Sequence, residues 1–99
     1  MLHLINKSPN ESNKLATCLQ FVQADHSVLL LENAVYAALA DSEIAVQLRE
    51  ISSSITFYVL TPDLAARGLL DKAIHPGIKQ IDYNGFVQLV AENDVVQSW

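Results

Sequence analysis

The chain predicts an α/β fold: a single-domain layered fold over residues 1–99, with a mostly parallel sheet of about five strands. Three features carry that expectation. Short apolar or β-branched runs alternate with helix-type segments from end to end. The runs "SVLLLE" (Ser27–Glu32) and "SITFYVL" (Ser54–Leu60) lack polar alternation over most of their length, which indicates strands covered on both faces, as in parallel sheets. Helix-start and helix-stop residues separate them.

"LHLI" (Leu2–Ile5) is the first strand. After it, Ser8, Pro9 and Glu11 have the spacing of a capping box, with a proline suited to the first helical position. They predict a helix from Ser8 to about Ala24. Leu15, Cys18, Leu19 and Val22 fall on one face of that helix. Ser27–Glu32 is the second strand. Asn33–Ala40 reads as a helical turn, and a further helix follows Ser42 to about Glu50. Ser54–Leu60 is the third strand, rich in β-branched and aromatic residues. In "TPDLAARG", Thr61 caps, Pro62 opens and Gly68 closes a short helix. Lys79–Asp82 is a weaker fourth strand, Tyr83–Asn93 a last helix capped by Asp82, and Val95–Trp99 a fifth strand at the sheet edge.

Composition narrows the function. Hydrophobic residues make up 51% of the 99 residues, enough for one modest core that hides roughly 65% of the unfolded surface, with apolar surface to spare for a partner. The net charge is −5, and the six basic residues are scattered and not interleaved with aromatics, so no direct contact with nucleic acid is expected. One cysteine cannot make an internal disulfide, and "MLHLINKSPN" has no basic segment followed by a long apolar run. A reducing compartment, the cytoplasm, is therefore expected. No apolar run approaches the length of a membrane span.

No catalytic set stands out. The only thiol, Cys18, lies late in its expected helix among apolar neighbours, where the helix dipole opposes ionisation, so it reads as a packing residue. His3 alternates within a strand and reads as a packing residue. His26 and His75 flank turns and read as solvated. None of the three has a second ligand at metal spacing, so neither a metal nor a cofactor is expected. Glu32 and Asn33 sit at the end of the second strand, where α/β sheets gather ligands, but a lone carboxylate there reads as a cap or a partner contact. The three glycines lie far from the first strand-to-helix turn, which excludes a phosphate-binding loop, and the acidic cluster of a phospho-receiver is missing.

Several stretches resemble the TusB/DsrH family: Asn6-Lys7-Ser8-Pro9, "SVLLLENAVYAAL", Asp63-Leu64-Ala65-Ala66-Arg67-Gly68, Asp82-Tyr83 with Phe86, and the terminal Gln97-Ser98-Trp99. The resemblance runs from Met1 to Trp99. It implies a DsrE-like fold and a place beside two paralogous small subunits, TusC/TusD-like, in a heterohexamer. In the TusBCD version the complex relays persulfide sulfur between donor and acceptor proteins toward 2-thiolation of the tRNA wobble uridine. In the DsrEFH version it serves sulfur oxidation. In both, the main sulfur-accepting cysteine belongs to a partner, and the present subunit is chiefly architectural. "ATCLQF" resembles the cysteine-bearing helix of DsrH-type members, which makes Cys18 the candidate for a secondary sulfur carrier. The family's frequent glycine after the acidic residue that ends the second strand is Ala34 here, and alanine tolerates positive φ poorly.

Overall fold

In the computed structural model, which describes residues 1–51 and 54–99, strands β1 (Leu2–Ile5), β2 (Ser27–Leu30), β3 (Thr56–Leu60), β4 (Ile78–Ile81) and β5 (Val96–Ser98) form one sheet. The order is β4-β3-β2-β1-β5, and every pairing is parallel. The expected fifth strand is present and lies on an edge, beside β1.

The connections run first one way and then the other. Helix α1 (Lys14–Phe21), a 3₁₀ segment (Glu32–Ala38) with α2 (Ala45–Ile51), and α3 (Thr61–Ala66) link β1 to β4 in successive steps. They cover one face of the sheet, where Ile5, Val28, Leu30, Phe57, Val59 and Ile78 meet Leu15, Cys18, Val35, Leu48 and Leu64. Helix α4 (Tyr83–Glu92) then carries the chain back across the other face to β5. There Leu2, Leu29 and Leu60 pack with Leu89. The apolar runs of β2 and β3 are thus explained: odd and even positions are both buried, one set under each layer.

Local chemistry places most element ends. Asp82 caps α4, its Oδ1 accepting the Gly85 N–H at 2.8 Å. Gly68 follows α3 with φ of 68°, the left-handed conformation that glycine takes at a helix end. Leu60, rather than Thr61, is the capping residue of α3, and Thr61 and Pro62 are its first two positions.

The first helix corrects the sequence reading. Ser8 and Glu11 do make half of a capping box, the Ser8 N–H donating to Glu11 Oε1 at 2.8 Å. The Glu11 and Ser12 N–H groups both return to the Ser8 carbonyl, but this single turn stops. The Lys14 N–H is taken by Ser12 Oγ, and α1 begins only at Lys14. Asn10, Ser12 and Asn13 explain the break, because short polar side chains compete with the helical ladder for backbone groups.

Candidate functional site

Cys18 lies in the interior of α1, with 0% of its surface exposed. It belongs to the apolar cluster between α1 and the sheet, and Leu19 and Val22 border the same cluster. Burial without a compensating cation pushes its thiol pKa up to about 12. At neutral pH the thiol therefore stays protonated, whereas sulfur transfer needs the thiolate.

The turn after β2 is built by α3. Glu32 has φ of 50°, and its N–H donates to Asp63 Oδ2. Arg67 spans the same junction: its Nε–H donates to Asn33 Oδ1 at 2.9 Å, and its Nη1 to the Asp63 carbonyl at 3.1 Å. Asp63 and Arg67 of the "DLAARG" stretch therefore hold the end of β2 in place. The positive φ falls on Glu32, and Ala34 takes a place in the buried wall of the 3₁₀ segment. Beside this turn, the Ser8 N–H, with help from the Asn33 side chain, holds the exposed Glu11 carboxyl below the ordinary carboxylate range.

The histidines give the largest departure from the sequence reading. His3 is 1% exposed and packs on the α1 face of β1, in the same cross-strand row as Val28 and Phe57. His26, expected to be solvated, is half-buried with its Nδ1 3.0 Å from His3 Nε2. The Gln23 N–H also points at that Nδ1, at 3.3 Å. From the far end of the chain, Trp99 donates its Nε1–H to His3 Nδ1 at 3.1 Å. Phe21 stacks against the outer side of Trp99, with ring centroids 5.8 Å apart. The two histidines, Phe21 and Trp99 line an open cavity of about 390 Å³ together with Met1 and Gln97. Burial, the neighbouring His26 and the Met1 ammonium together push the His3 pKa below its ordinary value.

Strand parity is the signal that could have found this cluster. His3 and Ile5, His26 and Val28, Gln97 and Trp99 share the α1 face once parallel pairing is set. Register between strands was not available to local reasoning.

His75, also expected to be solvated, is 2% exposed. Its N–H donates to the Ala38 carbonyl, and the bridge between Leu39 and Ile74 draws the segment inward. His75 Nδ1 accepts the Gly77 N–H at 2.9 Å. Among the described residues, no group of three or more histidine, cysteine or acidic side chains gathers at metal-binding distance. No helix among them is long and apolar enough to cross a membrane.

Comparison with known proteins decides the family. The family model described as "DsrH like protein" matches residues 7–96. This chain belongs to the TusB/DsrH family. Among its TusB relatives, Protein TusB of Pectobacterium parmentieri is 38% identical over 99 residues, covering all of both chains. Protein TusB of Erwinia tasmaniensis is 37% identical, and that of Buchnera aphidicola 34%, again over the full length of each. The fold is similar to that of the ychN protein from E. coli, with a TM-score of 0.82, 17% identity, and 99% of this chain and 97% of that one covered. It is also similar to MTH1491 from Methanobacterium thermoautotrophicum, with a TM-score of 0.72, 15% identity, and 99% and 96% covered. The DsrE-like fold that the sequence implied is the fold observed.

Proposed function

We propose that this member of the TusB/DsrH family is a non-catalytic subunit of a TusBCD-type sulfur-relay complex in the cytoplasm, acting in 2-thiolation of the tRNA wobble uridine. The carrying observation is the sealed thiol. A family member in a sulfur relay needs a reachable thiolate to carry sulfur, and the only cysteine here is buried and held protonated. Its contribution is then architectural, and the sulfur-bearing cysteine is supplied by one of the two paralogous subunits of the heterohexamer.

Two further features support this reading. Tyr83 and Val87 on α4 are 58% and 68% exposed, apolar surface that suits a chain built to be covered in an assembly. The net charge of −5, with dispersed cations, suits a subunit that leaves RNA to others.

Co-expression with its two paralogues should give one stable complex on size-exclusion chromatography, whereas the chain alone should self-associate. A chain that stays monomeric and ignores both paralogues would refute the assembly. Within the complex, Cys18→Ala should leave sulfur transfer nearly intact and cost on the order of 1 kcal/mol of stability, because one small buried atom is lost. Cys18→Ser should cost about 1–3 kcal/mol, because it buries a hydroxyl among apolar side chains. Mass spectrometry after exposure to a persulfide donor completes the test. Stable added sulfur on Cys18, with a large loss of transfer in the alanine variant, would favour a DsrEFH-type subunit that uses Cys18 as a secondary carrier.

A further inference from the structure

Indole nitrogen can only donate, so the hydrogen bond from Trp99 Nε1–H requires a bare lone pair on His3 Nδ1. The His3 proton therefore sits on Nε2, where it faces His26 Nδ1 at 3.0 Å. That nitrogen must accept as well, and it also receives the Gln23 N–H, so the His26 proton sits on Nε2. One arrangement of protons satisfies the whole chain of contacts, and in it both rings are neutral.

An added proton has no comfortable place. On His3 it occupies Nδ1 and confronts the indole N–H. On His26 it occupies Nδ1 and confronts the His3 Nε2–H and the Gln23 N–H. If the two rings exchange tautomers to relieve one conflict, the proton reappears against Trp99. The charge environment is sparse. Met1 brings its ammonium to the β1 side, and the loop before β2 carries exposed Asp25 next to His26. Helix α1 contributes Phe21, and β5 and the residue after it contribute Gln97 and Trp99.

What the cluster holds is an edge strand of three exposed residues, paired on one side only. Trp99 is the residue that anchors this strand to the core: its N–H donates to the Leu4 carbonyl, and its ring packs against the cluster under α1. We infer that His3 and His26 form a proton-operated clasp on β5, in which the neutral pair seats Trp99 and uptake of one proton by the pair releases it and uncovers the edge of β1.

The sign follows from the depressed His3 pKa. The unfolded or released chain takes up a proton at about pH 6.5, and the seated form resists it. The clasp is fully closed above that pH and loosens as the pH falls below it. Glu11 is held below the ordinary carboxylate range, so its own titration lies at lower pH and outside the window.

Trp99 is the only tryptophan, so fluorotryptophan labels that one position, and fluorine NMR of the full chain, alone or reassembled with its partners, follows it without ambiguity. Between about pH 7.5 and 5.5 the signal should move toward that of solvent-exposed fluorotryptophan, in step with histidine titration. Exchange of the Trp99 amide, corrected for its intrinsic rate, should speed up about tenfold over the same interval. The double variant His3→Gln with His26→Gln keeps donors and acceptors but cannot titrate, and should lose the pH response. Nitrogen NMR of the unmodified chain gives a check that needs no variant: at pH about 7.5, His3 should carry its proton on Nε2. A Trp99 signal that stays constant while the histidines titrate, an unchanged response in the double variant, or a His3 protonated on Nδ1 would each overturn the clasp.

Discussion

Phe57→Ala should remove about 3–5 kcal/mol of stability, a large share of the roughly 5–15 kcal/mol that a chain of this length commonly has. Phe57 is the largest of the side chains that are fully buried. It lies in β3, between Val28 of β2 and Ile78 of β4, and all three point into the cluster under α1, α2 and α3. Truncation leaves a cavity in the row that also contains His3, and β3 is held by hydrogen bonds to both β2 and β4, so the sheet cannot close in to fill it. Urea denaturation followed by circular dichroism measures the loss. A change below about 1.5 kcal/mol would mean that the layer above the sheet collapses to fill the gap, contrary to the packing described.

On the opposite face, Leu29→Ala should cost about 2–5 kcal/mol and should loosen α4 in particular. The core beneath α4 is small: Leu2, Leu29 and Leu60 from the sheet meet Leu89, with Phe86 at its margin. Leu29 sits at its centre, between Leu4 of β1 and Tyr58 of β3. Helix α4 has few other contacts to hold it, so its amides should lose hydrogen-exchange protection more than those of α1, which rests on the larger cluster. Equal loss of protection in both helices would show that the two faces unfold as one unit.

The candidate site was partly legible in the residues. Cys18 could be assigned to an inner face because Leu15, Cys18, Leu19 and Val22 recur at helical spacing, and helical spacing is a local property. The helix is shorter than expected, running from Lys14 to Phe21, and Cys18 keeps its place under the same layer. The Asp63 and Arg67 contacts to the turn after β2 cross more than 30 residues of sequence, and only the folded chain displays them. The same is true of His26 and His75: flanking turns suggested solvent, but neighbouring segments close over them.

By itself the sequence determined the order and kind of the elements, the inner face of α1, the cap at Asp82 and the closing Gly68. These depend on backbone preferences and on apolar spacing within a dozen residues. It also determined family membership, through stretches spread along the whole chain. Tertiary structure decided the all-parallel register, the return of β5 to the side of β1, and hence the meeting of His3, His26 and Trp99. The Trp99 to His3 bond joins residues 96 positions apart. No local preference encodes such a contact; it exists because the central strands β1, β2 and β3 bury both faces at once, and the register that closes both cores also brings the edge strand beside β1.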